Sequence, residues 1–470
     1  MEFKLQLIIS NDTQPLKTID LTTLAKSTTT IAELGLSLAD SKNILKSMQS
    51  SIITEQVSHY LANCRCCPDC YRDYKIKDHK IKKLNTLFGT LHLESPRFYS
   101  CQCYQKNRKS FCPLSQLITD RNTPELLYIE SKYASLVSYG LTTKLLIDFL
   151  PIHSKLNAVS IRNDTLKVAK RLDEKLGEEH YFFVEGCPYE WERLPQPKGK
   201  ITMGIDGGYL REWENKKKNF EVIAGKSLPS QGDAKYFGLV QRFDKKPKRR
   251  VYEVLKSQGM QNNQVVEFLS DGADNLRELQ RFLNPRAKHM LDWFHVSMRF
   301  TVLMNYAKGY KKYDRESGTE LIEELESAKW HGWHGHAQEC YEQIESATWT
   351  INPESKYPPL KKLEKALDEM CTYIYRNSPM IVNYSERWHA GDRISTGFIE
   401  STINCFVTKR FAKKQQMQWT AKGAHLLMQI RAKVMNNEFA TEFKNWYPEF
   451  HDYIEKSIND DKILPEKVAA

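Results

Sequence analysis

Asp206, Asp271 and Glu400 are the acidic residues whose settings suit metal-assisted phosphoryl transfer. Asp206 closes the apolar run Ile201–Ile205 and is followed by Gly207 and Gly208, which let a ligand approach the backbone closely. Asp271 repeats the arrangement after Val265–Leu269 and Ser270, with Gly272 behind it. Glu400 sits in ISTGFIESTINCFVTKRF, where Ser395, Thr396 and Gly397 read as a helix start and Ile399, Ile403 and Phe406 as its buried stripe. Each has a purely structural alternative: Asp-Gly is a hairpin dipeptide, Asp is a favoured helix N-cap, and a glutamate in a first turn complements the helix dipole. Their combination carries the reading, two strand-end aspartates 65 residues apart and a helix-borne glutamate 129 residues later. Three carboxylates can hold two divalent cations about 4 Å apart, which activate an attacking oxygen and steady the leaving oxygen of a phosphodiester. Hard oxygen donors select Mg²⁺, or Mn²⁺ in its place. Asp292 and His295, in LDWFHV, form a neighbouring D-x-x-H that shapes this site, contacts substrate, or packs as a hydrogen-bonded pair beneath the core. Asp271 is preferred to Asp292 as the second ligand because it ends a strand, whereas Asp292 runs into an aromatic helical segment.

Seven of the eleven cysteines lie between Cys64 and Cys112. In a chain without an export signal, clustered thiols are metal ligands more often than disulfides. Cys67-x-x-Cys70 and Cys101-x-Cys103, with 30 residues between the pairs, fit a four-thiolate Zn²⁺ site on a β-ribbon. A closed set of four thiolates leaves no open position, so this zinc would be structural. Cys64, Cys66 and Cys112 remain alternative ligands.

Lys and Arg outnumber Asp and Glu by 69 to 58, for a net charge of +11. Residues 65–111 carry eleven basic and four acidic residues, and residues 405–433 carry seven basic and none acidic. Such stretches favour a polyanion, because each phosphate neutralised releases counterions; a solvated surface is the alternative. In the second stretch Lys409, Arg410, Lys413, Lys414, Gln415, Gln416 and Trp419 combine charge with side chains able to reach or stack on bases, which predicts DNA contact. DKKPKRR at 244–250 reads as a cationic loop.

The elements that must position these groups read as a mixed α/β chain of several domains. With 41% hydrophobic and 27% charged residues the composition is that of a globular protein, which excludes the disordered and fibrous classes. The N-terminal apolar run, about five residues, is too short for a signal peptide or a membrane span, so a cytoplasmic protein with no membrane partner is expected. Residues 1–63 read as a helical lead after a short strand at 3–9, residues 64–115 as the cysteine module, and 116–198 as a helical, helix-turn-helix-like region with a Gly- and Pro-rich linker. Residues 199–437 hold strands, then a helical insertion at about 297–390, then a further helical segment, and 438–470 form a tail.

The stretches MGIDGGYLR, FLSDGADNLRELQRFL, HMLDWFHV, GFIESTIN and KKQQMQWTAKGAHLLMQIRAKV resemble the DDE transposases of bacterial insertion sequences, the ISKra type in particular. The resemblance runs from the N-terminal helix to about residue 437. It implies an RNase H-like catalytic core, a mixed sheet flanked by helices, with a helical insertion between the second and third acidic residues. It maps the three catalytic acids onto Asp206, Asp271 and Glu400, and implies two Mg²⁺ ions, cleavage by water at the element's ends, and attack of the freed 3′-hydroxyl on target DNA. Terminal inverted repeats and target, both double-stranded DNA, are the implied partners, with a homo-oligomer pairing two ends and a nucleoid location when bound. The competing expectations are a silent or repurposed transposase acting only as a zinc-dependent DNA-binding protein, and a nuclease that cuts without joining.

Overall fold

Glu2–Asn11 (β1) and Gln14–Ala25 (β2) pair as an antiparallel hairpin where the sequence predicts one strand and a helical lead. Helix α1 (Leu38–Asn63) follows. Its start is fixed by a capping box in which the Asp40 N–H donates to Ser37 Oγ and the Ser37 N–H to Asp40 Oδ2. In this computed structural model the described residues are 1–451, apart from 12–13, 28–29, 32–33, 104–108, 153–154, 178–192, 196, 198, 216, 273–282, 284–286, 396 and 412–416, with backbone alone at 11, 14–16, 399 and 400. The proposed linker, Cys187 and the helix expected after Gly272 fall largely or wholly outside them.

The cysteine module is a three-stranded antiparallel sheet, β3 (Ile76–Thr86), β4 (Gly89–Tyr99) and the short β5 (Ser110–Phe111), in that order. Alternation along β4 sends Leu91 and Leu93 inward to Val57 of α1 and to Leu114. Helices α2 (Leu114–Leu117), α3 (Pro124–Leu136), α4 (Tyr139–Phe149) and α5 (Ala158–Lys175) come next, with Leu126, Ala134, Leu146 and Ile161 as their shared core. The C-terminal helix Phe439–Trp446 brings Phe439 and Phe443 against Tyr128. Met1–Val168 with Glu438–Ala470 make one unit and Ala169–Asn437 the other, the division falling inside α5.

The second unit is built on a mixed sheet. Strands β6 (Ile201–Glu212), β7 (Asn219–Pro229) and β8 (Lys235–Val240) form an antiparallel meander, then α6 (Pro247–Ser257) crosses to β9 (Val266–Ser270) and β10 (Lys288–Leu291), both parallel to β6. The strand order is β10-β9-β6-β7-β8, and a two-residue strand β11 (Gln418–Trp419) pairs with the far end of β6. Ile201, Met203 and Ile205 point to one face, against Val251 and Leu255 of α6. On the other face, register aligns Asp206, Ala224 and Gly238 in one row. That row is small because Phe406 lies on it: a Cβ at Gly238 would come within 2.4 Å of the Phe406 ring.

After β10 a helical insertion forms its own core from Phe300, Leu303, Leu321, Leu325, Leu367 and Met370. It comprises α7 (Trp293–Tyr310), α8 (Arg315–Trp333), α9 (Ala337–Trp349), α10 (Leu360–Asn377) and α11 (Tyr384–His389). Helix α12 (Gly397–Thr402), a π-helical turn (Ile403–Thr408), α13 (Lys409–Phe411) and α14 (Ala421–Met435) complete the unit. Most of the expected cationic loop at 244–250 is the start of α6, and Arg250 turns inward. Its guanidinium donates to Asp244 Oδ2 (2.8 Å), Asp173 Oδ1 (2.7 Å) and Gln429 Oε1 (2.7 Å), so its charge is spent on the interior. Among the described residues, no helix is long and apolar enough to cross a membrane.

Candidate functional site

Strand register brings three aspartates to one level. Gly204 pairs with Leu269, so Asp206 and Asp271 each lie two residues beyond the last β6–β9 partners. Leu291 pairs with Ser270, so Asp292 and Asp271 each lie one residue beyond the last β9–β10 partners, and the Asp292 N–H donates to Ser270 O at 2.9 Å. β9 leaves β6 after Gly204 and β11 joins the same edge only at Arg211. The opening between them lies at the C-terminal ends of parallel strands, where α/β sheets commonly seat ligands.

The electrostatics follow from this crowding. Burial raises the Asp206 carboxyl above its usual range and the charges of Asp271 and Asp292 raise it further, against the Gly207 N–H at 2.7 Å and the nearby His295 ring. Asp292 is 0% exposed. It caps α7, accepting from the Phe294 N–H at 2.8 Å, while its other oxygen lies 2.8 Å from His295 Nδ1. That bond raises His295 above the ordinary histidine value against the effect of burial, with the charges of Asp206 and Asp271 adding to the rise. Asp292 and His295 are thus both a packed pair and members of the acidic cluster.

Three groups that sequence reasoning missed support the cluster. Glu221 on β7 lies beside Gly207, its Oε1 3.2 Å from where a Cβ would stand, and its carboxyl is raised by burial and by Asp271. The Tyr373 hydroxyl donates to the Asp271 carbonyl at 3.0 Å. Gly272 adopts φ +92, and a Cβ there would meet Asn377 Oδ1 at 2.4 Å, so the turn after Asp271 is moulded by the end of α10. The signal for Glu221 was an acid between the buried Phe220 and Val222; nothing local marks Tyr373 or Asn377. Glu400 belongs to α12, three residues before Ile403, which approaches Gly208 on the face that carries Asp206; the Glu400 side chain is outside the described residues.

The thiols form a second centre. The sulfurs of Cys67, Cys70, Cys101 and Cys103 all lie within 4.8 Å of one another, with Cys70–Cys101 at 3.5 Å and Cys101–Cys103 at 3.7 Å. With Zn–S bonds of about 2.3 Å a tetrahedral site has sulfur–sulfur edges of about 3.8 Å, so the four could hold a zinc ion. The backbone N–H groups of Cys70 and Asp69 draw the Cys67 thiol down to about 7. The alternative ligands are engaged elsewhere: Cys66 Sγ donates to Asp73 Oδ1 (2.9 Å) and Cys112 Sγ to Ser95 Oγ (3.4 Å), while Cys64 bonds Tyr60. Tyr74 braces the ribbon between Phe98 and Phe111.

The expected DNA-contacting residues divide. Lys409 is exposed. Arg410 and Trp419 are 2% and 7% exposed, and the expectation that they touch DNA does not fit that burial. The Arg410 guanidinium lies over the Trp419 ring at 5.1 Å, and Trp419 packs on Phe411 and donates to its carbonyl at 3.3 Å. Lys413, Lys414, Gln415 and Gln416 lie outside the described residues. No family model matches the chain, and no curated protein matches it.

Proposed function

We propose that the chain is a DNA transposase of the DDE type, binding the terminal inverted repeats of its element and catalysing metal-dependent strand cleavage and strand transfer. The observation that carries this reading is the level row of Asp206, Asp271 and Asp292 across three neighbouring parallel strands. A mixed sheet flanked by helices, with a helical insertion between the second and third acids, fits an RNase H-like core. The donor set also fits the metal: hard carboxylate oxygens, with Asp206 raised by burial and then by its acidic neighbours, favour a dication between them. Asp206, Asp271 and Glu400 would hold Mg²⁺ or Mn²⁺, which when bound supplies the charge that activates the attacking oxygen and stabilises the leaving one. Asp292 orients His295, whose ring faces the same acids, and Tyr373 fixes the backbone of Asp271. The zinc ribbon and its basic strands, with Lys77, Lys80, Lys82 and Lys83 on β3, would take the element's terminal DNA, and a homo-oligomer would pair two ends.

The test compares wild type with Asp206→Ala, Asp271→Ala, Asp292→Ala and Glu400→Ala on DNA carrying the element's ends, with Mg²⁺ or Mn²⁺. Loss of the metal is worth several kcal/mol of transition-state stabilisation, so the Asp206, Asp271 and Glu400 variants should lose about a thousandfold in cleavage and joining. Full activity in Asp271→Ala with loss in Asp292→Ala would transfer the second ligand to Asp292. Cutting without joining would mark a nuclease, and end-binding without either a repurposed DNA-binding protein.

A further inference from the structure

We propose that Arg299 binds a backbone phosphate of the DNA strand that enters the carboxylate row, and that Tyr373 is the positioning residue that sets Arg299 and Asp271 in one frame. The inference rests on the transposase reading and names part of the substrate seat that reading leaves open. A phosphodiester approaching several carboxylates meets repulsion, so cations must stand beside the row and face solvent. His295 and Arg299 are four residues apart on α7, and therefore on one side of the helix in successive turns. Arg299 is exposed, and among the described residues no carboxylate forms an ion pair with it. Its guanidinium stacks over the Tyr373 ring at 4.1 Å. Stacking of this kind, with a hydrogen bond from the guanidinium to the Tyr373 hydroxyl, fixes the plane of the fork and leaves its outer edge to take phosphate oxygens. The platform is itself anchored, because the Tyr373 hydroxyl donates to the Asp271 carbonyl at 3.0 Å. Phe294, Met298 and Val302, at four-residue intervals, form an exposed apolar stripe next to Arg299, suited to sugars and base edges rather than to water.

The test measures binding of a short fluorescent DNA duplex to the full chain over a series of salt concentrations, and separately Mg²⁺-dependent cleavage at saturating DNA. Each phosphate contact contributes about 0.9 to the slope of log affinity against log salt. Arg299→Ala is expected to weaken binding about tenfold and lower the slope by about one, while Arg299→Lys keeps the slope. Tyr373→Phe retains the ring and the slope but lowers the cleavage rate about tenfold, since the Asp271 carbonyl loses its donor. Equal thermal midpoints across the variants establish that all are folded. A wild-type slope in Arg299→Ala overturns the inference and leaves the transposase reading standing. A reduced slope in a chain that never cuts DNA supports the phosphate contact and sinks the transposase reading. A wild-type chain with no salt-dependent DNA binding overturns both.

Discussion

Asp206 carries a cost that the Gly207 N–H and His295 relieve only in part. Its raised carboxyl means that ionisation is less favourable in the folded chain than in the unfolded one. The associated stability is therefore complete at acid pH, below the unfolded value, and is lost as pH rises through the raised folded value. The charged form of the carboxylate opposes folding. Asp206→Asn, which keeps the shape and removes the charge, should raise the thermal midpoint of the metal-free chain at pH 7. If the acids hold Mg²⁺ as proposed, the ion should raise the midpoint of wild type further and leave that of Asp206→Asn unchanged; scanning fluorimetry with and without Mg²⁺ reads both. An unchanged midpoint without metal, or a retained Mg²⁺ shift, would show that Asp206 is not the strained ligand of this site. Asp206 and Asp271 were legible because strand, acid and glycine stand next to one another in the sequence. The level position of Asp292 was not, since it follows from the register of β10 on β9, which pairs residues about 20 positions apart. Arg410 and Trp419 differ for the opposite reason: residue type suggested a DNA surface, whereas both side chains are buried, the guanidinium lying over the Trp419 ring.

Helices were visible where apolar spacing is regular. The helical region expected at 116–198 holds α3, α4 and α5, and the further helical segment expected before residue 437 is interrupted by β11. The β1–β2 hairpin was half seen, because Thr-rich Gln14–Ala25 earns its strand identity from pairing with β1 rather than from alternation. Within α3 one element-level feature has a measurable consequence. Glu130 is buried in the helix, its Oε2 has no hydrogen-bond partner among the described residues, and burial, with Asp164 nearby, raises its carboxyl to about 8. It is mostly neutral at pH 7. The stability of this unit should be complete below the ordinary glutamate range, near 4.5, and fall as pH climbs through about 8. Glu130→Gln preserves the size and the polarity without the titration. It should flatten the decline between neutral and alkaline pH and be the more stable protein at pH 9, by a few kcal/mol at most. Thermal melts of both proteins across that range check this; parallel curves would mean that Glu130 stays solvated.

At the scale of the whole chain, the thiol set and the acid row differ in ligand type. The thiol set lies in the unit of Met1–Val168 and Glu438–Ala470, the acid row in the unit of Ala169–Asn437, and each unit has its own apolar core. Soft thiolates select zinc and hard carboxylates select magnesium, so each ion should act on its own unit. The candidate thiol pairs are separated by about 30 residues of ribbon, and a metal closing that loop would contribute to folding itself. The chain should therefore carry one zinc, lose it in Cys67→Ser and Cys101→Ser, and keep it in Cys66→Ser and Cys112→Ser, whose sulfurs bond Asp73 and Ser95 instead. A zinc-selective chelator should lower the melting transition of the ribbon's unit and leave the Mg²⁺-sensitive transition in place. Elemental analysis of the four variants and a chelator titration followed by calorimetry measure these effects. Zinc retained in Cys67→Ser, or lost in Cys66→Ser, would mean that the pairing of Cys67-x-x-Cys70 with Cys101-x-Cys103 is not the metal site.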